Sequence, residues 1–168
     1  MTVSLYDFSV PLFVHSLKAL SEVLKKAEAF AEAKKIEPTV LLQDRLAPDM
    51  FPLVKQVQLA SDFAKGGSAR VAGVDVPSYA DTETTFAELH ARIEKTIAFI
   101  QSIPAEKFIG AETCDITVPM RPEPKTFNAL TYLRHGALPN FFFHTTTTYD
   151  ILRNNGVEVG KRDFLGVY

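Results

Sequence analysis

Residues 127–157 read FNALTYLRHGALPNFFFHTTTTYDILRNNGV, a stretch with the periodicity of a long amphipathic helix. Its inward positions recur every three or four residues, which is the spacing of one helix face. These positions are Leu133, Ala137, Asn140, His144, Thr148 and Ile151. Gly156 suits the left-handed residue that follows a helix, and Pro139 in the middle predicts a kink. The pattern therefore predicts a helix over residues 127–155.

Three further segments show the same periodicity and are each about 20 residues or longer. They are residues 9–34, 49–71 and 81–102. Asp49 is predicted to cap the second helix, and Asp81 or Thr82 is predicted to begin the third. Residues 106–125 are rich in proline and β-branched side chains, so we expect a short hairpin or extended loop before the fourth helix. The sequence thus predicts an all-α four-helix bundle that forms a single domain over residues 1–168.

The bulk composition argues against several classes of function. The chain has 168 residues, of which 46% are apolar and 23% charged, and its formal net charge is −2. Lys and Arg are scattered, so we do not expect the basic surface that nucleic-acid binding needs. No run of about 18 apolar residues is present, so no interaction with a membrane is expected. With a single cysteine, Cys114, and no basic leader sequence, we expect a cytoplasmic protein.

Three polar residues fall on the apolar faces of the predicted helices. Asn140 and His144 are four residues apart on the fourth helix, and Gln56 lies among the inward positions of the second. Buried polar groups must be hydrogen-bonded, so these side chains should meet each other, water or a ligand. They either form a satisfied core network that fixes the helix register, or they line a pocket for a metal or small molecule. The sequence leaves both alternatives open.

Two clusters of charged residues are expected to form ion pairs at the surface or between helices. They are Arg45, Asp49, Asp62 and Arg70 around the second helix, and Asp81, Glu83, Arg92 and Glu94 on the third. A second histidine of the fourth helix, His135, is nine residues from His144, which places the two on opposite faces. The two could share a site only if the kink at Pro139 turned the helix markedly, so His144 is the candidate for the inward site.

The fourth helix also carries a second apolar face that something must cover. Its members are Leu138, Phe142 and Tyr149, with Tyr132 nearby. The tail over residues 159–168 ends on apolar side chains and is expected to pack on the bundle. A second copy of the chain is the other candidate cover, and we expect a homodimer.

Several segments together resemble one bacterial protein family. They read RLAPDM at 45–50, DTETTF at 81–86, PNFFFH at 139–144, YDILRNNGV at 149–157 and GKRDFLG at 160–166. The family is known only as a domain of unknown function and is grouped with the DinB/YfiT-like metalloenzyme superfamily. The resemblance covers nearly the whole chain, and it implies a DinB/YfiT-like four-helix bundle.

The resemblance also implies a position for a metal site. In the superfamily a divalent metal is held by one histidine in an L-x-x-H context on the second helix and two in an H-x-x-x-H pattern on the last. Here the segment LVKQ at 53–56 puts Gln56 at the first position, and Asn140 and His144 stand in the second pattern. Neutral amides are poor ligands for zinc or nickel, so we expect a degenerate site without a metal cofactor.

Two functions are compatible with this pattern. The first is a DinB-like bundle protein that binds a small polar ligand in its core through Gln56, Asn140 and His144. The alternative is a metal-dependent hydrolase or thiol transferase in which His144 is the last metal ligand or a general base. Such a base needs an orienting partner, for which Asp62 and Glu83 are candidates. Whether the chain is an enzyme is left open by its sequence.

Overall fold

Helices make up most of the fold in the computed structural model, which describes residues 4–120 and 122–167. In chain order they are α1 (Val10–Lys34), α2 (Pro38–Gln43), α3 (Leu53–Val71), α4 (Phe86–Gln101), α5 (Ala129–Tyr132), α6 (Leu138–Asn154) and α7 (Lys161–Leu165). A π-helical turn over Leu133–Ala137 joins α5 to α6, so the three segments form one composite fourth helix. The other three long helices are α1, α3 and α4.

The long helices bury their apolar faces against one another. Helix α3 packs against both α4 and α6, and α1 packs against α4. The largest fully buried side chains include Phe13, Leu17, Leu24, Leu53, Leu89, Ile93, Leu133 and Phe141. Full burial of one such side chain contributes about 1.5–3 kcal/mol, so this core is the main source of stability. The all-α, four-helix architecture predicted from the periodicity is confirmed.

A short hairpin lies between α4 and the fourth helix, as predicted. Strands β1 (Asp115–Val118) and β2 (Lys125–Asn128) pair antiparallel, with Ile116 opposite Phe127. Two 3₁₀ turns, over Ala105–Phe108 and Ala111–Thr113, connect α4 to β1. Arg121, which lies between the two strands in sequence, is outside the described residues.

The predicted start of the second helix at Asp49 is wrong, because α3 begins at Leu53. Pro52 has an extended backbone (φ −69°, ψ 165°), and a proline also pushes the residue before it away from helical angles. The chain ahead of it forms a turn in which the Met50 N–H donates to the Ala47 carbonyl at 3.0 Å. The helix therefore starts only after the proline.

The predicted start of the third helix at Asp81 or Thr82 is also wrong, because α4 begins at Phe86. A capping box fixes this end. The Glu88 N–H donates to the Thr85 hydroxyl at 3.2 Å, and the Thr85 N–H donates to the Glu88 carboxylate at 3.0 Å. The Thr-x-x-Glu spacing that signals such a cap is present in the sequence.

The fourth helix starts two residues later than predicted, because Phe127 belongs to β2 and Asn128 caps the helix. Its end agrees with the prediction. Gly156 takes a left-handed conformation (φ +86°), and the Val157 N–H donates to the Leu152 carbonyl at 3.1 Å. This arrangement satisfies the last free carbonyl groups of the helix.

The tail packs on the bundle as expected. The ring of Phe164 on α7 meets Tyr149 edge-on at 6.0 Å, and Asp163 pairs with Lys26 on α1 at 2.7 Å. Part of the second apolar face of the fourth helix is thereby covered. The last residue, Tyr168, lies outside the described residues. In the described part of the chain, no helix is both long and apolar enough to cross a bilayer.

Candidate ligand-binding site

Gln56 and His144 meet in the core between α3 and α6. Gln56 is in the first turn of α3 and 1% exposed, and His144 is in the middle of α6 and 8% exposed. His144 Nδ1 and Gln56 Oε1 are 2.7 Å apart, a hydrogen bond. The Gln56 amide also donates from Nε2 to the carbonyl of Phe51 at 3.0 Å. This second bond turns the amide oxygen towards the imidazole, so His144 Nδ1 is the donor.

The imidazole of His144 is neutral in this setting. Burial, and secondarily the positive charge of Lys55, lowers the pKa of His144 to about 4. Because Gln56 is a neutral amide, it does not offset the cost of burying an imidazolium. At neutral pH the ring therefore holds its proton on Nδ1 and presents a lone pair at Nε2.

Two phenylalanine rings contact the same imidazole. Phe63 of α3 stacks almost parallel to it, with ring centroids 5.5 Å apart and an interplanar angle of 15°. Phe143 meets it edge-on at 5.2 Å and is itself 55% exposed. The pair thus lies close to the surface, yet its imidazole is shielded from water by aromatic rings.

Asn140 is not in the core, which corrects the inward position predicted for it. It is exposed, and its Nδ2 donates to the Gly136 carbonyl at 2.9 Å. At about 100° per residue, Phe141 lies about 40° from Ala137 around the helix and Asn140 about 60° in the other direction. Phe141 takes the inward position, fully buried and edge-on to Phe13 at 4.9 Å, because burying a phenyl ring is favourable and desolvating an amide is not.

A cleft of about 510 Å³ opens next to the Gln56–His144 pair. It lies between α3, the hairpin and the composite fourth helix, and Asn140 is on its wall. Its apolar residues are Leu59, Phe63, Val118, Pro119, Met120 and Phe127. Its polar residues include Asp62, Arg70, Thr131, Tyr132, His135 and Asn140. Neither Gln56 nor His144 lines the cleft, but the Phe63 ring contacts both the cleft and His144.

An ion-pair network forms around Arg92, whose side chain is 1% exposed, and of the two predicted clusters it includes Asp62, Asp81 and Glu83. Its guanidinium bonds Asp62 and Asp81 at 3.0 Å and Glu83 at 2.9 Å, which links α4 to α3 and to the loop between them. Lys65 adds a 2.9 Å contact to Asp62. The carboxylates of Asp62 and Glu83 therefore pair with Arg92, and the group that orients His144 is the Gln56 amide.

The donor set at the position implied for the metal does not fit zinc or nickel. His144 offers a single lone pair, at Nε2, whereas Gln56 is a neutral amide bonded to its Nδ1 and the Asn140 amide bonds the Gly136 carbonyl. These metals take imidazole, thiolate or carboxylate ligands that converge on one point. Across residues 4–120 and 122–167, no cluster of three or more His, Cys, Asp or Glu side chains is arranged to hold a metal ion.

Comparison with known proteins identifies the family. Residues 5–165 match the family described as "Domain of unknown function (DUF1993)". The chain belongs to this family. A DinB family member protein from Shewanella denitrificans, known from a crystal structure, is 44% identical to this DUF1993 chain. The two structures agree with a TM-score of 0.92 over 98% of this chain and 93% of that one.

These matches confirm the resemblance and the fold class predicted from the sequence. They show that the DUF1993 chain has a DinB-like helical fold, and they name no substrate or ligand. No curated protein is significantly similar to the chain. The chemistry of the site must therefore be argued from its own residues.

The polar wall of the cleft was not predicted as a site. Arg70 was expected in a charged cluster, and Tyr132 and His135 were not linked to it. The hairpin supplies Val118, Met120 and Phe127, about 50 or more residues away from Arg70 in sequence. No spacing rule connects such distant segments, but the pair Gly66 and Arg70, one helical turn apart, is a local signal that could have been read.

The state of His144 can be measured directly. In long-range ¹H–¹⁵N NMR spectra at pH 7 we expect an unprotonated Nε2 and a ring that titrates near pH 4. Gln56→Glu should raise this pKa strongly, because a carboxylate stabilises the imidazolium, and Lys55→Gln should raise it less. A titration midpoint near 6.5, or a proton on Nε2 at pH 7, would contradict the assignment.

The lowered pKa of His144 also predicts that the stability of the fold depends on pH. The folded pKa of His144, about 4, lies below the unfolded value of about 6.5, so the unfolded chain binds the proton more readily. This contribution to the free energy of unfolding is fully present above about pH 6.5 and is lost as the pH falls towards 4. Chemical denaturation of wild type and Gln56→Glu between pH 4 and 7 measures it, and the variant should lose less stability over that range.

Proposed function

We propose that this DUF1993 chain binds a small organic molecule without a metal, in the cleft between α3, the hairpin and the fourth helix. The observation that supports this best is the cleft itself. Its volume of about 510 Å³ and its mainly apolar wall with a few polar groups are typical of small-molecule sites. The ligand then contacts Asn140 directly, and the Gln56–His144 pair supports the wall through Phe63.

This assignment refines the ligand site expected from the sequence. Gln56 and His144 hydrogen-bond each other, which favours the reading that they form a core network. In the proposal they are positioning residues, because they act on the ligand only through the stacked ring of Phe63. The Gln56–His144 pair at the degenerate metal position thus has a structural role, and the ligand binds in the neighbouring cleft.

The alternative, a metal-dependent hydrolase or thiol transferase using His144, has less support. The three residues at the metal position offer one imidazole and two amides, and these do not converge. As a general base, His144 is weak, because burial lowers its pKa to about 4 and a base works best near the ambient pH. A reaction in the cleft that uses other residues remains compatible with the proposal.

The remaining expectations from the sequence stay predictions. A location in the cytoplasm and the absence of nucleic-acid partners rest on composition and charge. Cys114, the single cysteine, is exposed, which suits a reducing compartment.

A homodimer is also part of the proposal. Phe51 and Phe143 are 56% and 55% exposed, and both flank the Gln56–His144 pair. Large exposed aromatic rings are typical of a protein interface, and burying them in a second copy would shield them from water.

Sedimentation equilibrium tests the dimer. Wild type is expected to sediment at twice the chain mass, and Phe143→Asp should shift the equilibrium to monomer by roughly tenfold or more in dissociation constant, because it places a charge in the interface. Phe8→Asp alters another exposed phenylalanine, 53% exposed, and should leave the dimer intact. A wild-type monomer at micromolar concentration would contradict the dimer.

Ligand binding in the cleft can be followed at a single methionine. Met120 lines the cleft, whereas Met50 does not, so methyl-¹³C-methionine NMR contains a probe and an internal reference. The neutral aromatic phenylacetamide is expected to shift the Met120 methyl signal and not that of Met50. For ten non-hydrogen atoms, a dissociation constant of about millimolar is reasonable.

A pair of blocking variants makes this test specific. Thr131→Trp places a large ring at the wall of the cleft and should abolish the shift. Arg134→Trp changes an exposed neighbour that does not line the cleft and should leave binding unchanged. If Met120 does not respond to phenylacetamide, or responds equally in Thr131→Trp, the proposed function is wrong.

A further inference from the structure

Arg70 is the cationic group of the cleft whose charge is not neutralised. It is half-buried on α3, and its Nη1 donates to the Tyr132 hydroxyl at 3.0 Å. Within the described residues no carboxylate pairs with it, whereas the acid on the same wall, Asp62, is bonded to Lys65 and Arg92. No carboxylate of the described residues therefore acts as a counter-ion for this guanidinium beside apolar side chains.

Gly66 makes room for this guanidinium. A Cβ atom at Gly66 would overlap Nη1 of Arg70, because the arginine folds back over its own helix by one turn. Glycine inside a helix costs about 1 kcal/mol relative to alanine. The glycine therefore leaves space for the folded-back conformation of Arg70, at a cost in helix stability.

The donors left on this pair match a carboxylate. Arg70 has five N–H groups, of which one reaches Tyr132. The Tyr132 oxygen accepts that bond, so its own O–H remains able to donate. A guanidinium and a phenol side by side can thus donate to the two oxygens of one carboxylate, and bonds to a charged acceptor are about twice as strong as neutral ones.

The remaining wall defines the rest of the ligand. Leu59, Phe63, Met120 and Phe127 present hydrocarbon surface to the same cleft. A ligand with a hydrocarbon body and one carboxylate therefore satisfies both parts of the wall. A phosphate ester carries a charge near −2, which the single positive charge of Arg70 would neutralise only in part.

We propose that Arg70 and Tyr132, with Gly66 making room for the guanidinium, form the anion-binding end of the cleft and select small aryl- or alkyl-carboxylic acids over their neutral analogues. This inference rests on the proposed function, since it names the chemical class that the cleft binds.

The test compares phenylacetate with its neutral analogue phenylacetamide at pH 7, using the Met120 methyl signal to obtain both dissociation constants. In wild type the carboxylate should bind roughly ten- to a hundredfold more tightly than the amide, as expected for charge-assisted hydrogen bonds in a partly desolvated site. Arg70→Gln should abolish this preference, because it weakens carboxylate binding far more than amide binding. Arg134→Gln, with the same change in net charge outside the cleft, should keep it.

Two further variants separate anion recognition from general disruption. Gly66→Ala should displace the guanidinium and reduce the preference severalfold, while the thermal unfolding temperature stays equal or rises because alanine favours the helix. Tyr132→Phe removes one of the two donors and should reduce the preference less than Arg70→Gln.

The outcomes distinguish this inference from the proposed function. If phenylacetate and phenylacetamide bind wild type equally, or if Arg70→Gln keeps the preference, the anion-binding assignment is wrong while cleft binding stands. If neither compound shifts the Met120 signal, the proposed function fails and takes this inference with it.

Discussion

The hydrogen bond between His144 and Gln56 is the constraint on which the site depends. It joins α3 to α6 inside the core and satisfies two polar groups that burial would otherwise penalise by about 1–3 kcal/mol each. It also fixes the proton on Nδ1, while burial keeps the ring neutral. Because an amide and an imidazole are bonded to each other where the superfamily resemblance implies metal ligands, the position is filled by the chain's own hydrogen bonding. The same imidazole supports the Phe63 ring that forms a wall of the cleft.

Two neighbouring glycines of α3, Gly66 and Gly67, allow close contacts beside the cleft. Gly67 of α3 faces Ala137 at the end of the π-helical turn so closely that a Cβ atom would come within 2.9 Å of the alanine methyl group. The glycines that should weaken α3 thus have separate roles, since Gly67 allows close helix contact and Gly66 leaves room for Arg70. With the helices close at Gly67, the hairpin covers one side of the remaining space and adds Met120 and Phe127 to its wall.

The helical fold could be predicted from the sequence because apolar periodicity and end signals are local. Gly156 marked the end of α6 correctly, whereas the starts of α3 and α4 were misplaced, because Pro52 and the Thr85 capping box outweighed the aspartates upstream. Gln56 and His144 could be predicted to meet, since each was the polar residue on an apolar face. The outward position of Asn140 could not be predicted, because Phe141 competes for the same inward position and burying its ring is more favourable than burying an amide. The cleft combines segments far apart in the chain, so its geometry required the structure.

The central claim is that an amide–imidazole hydrogen bond stands where a metal would otherwise bind. Elemental analysis of tag-free protein, before and after incubation with zinc, nickel and manganese, tests it most directly. The account predicts metal at background level in wild type and no change in His144→Ala. One tightly bound metal ion per chain that is lost in His144→Ala would contradict it and would make the metal-dependent enzyme the better description of this protein.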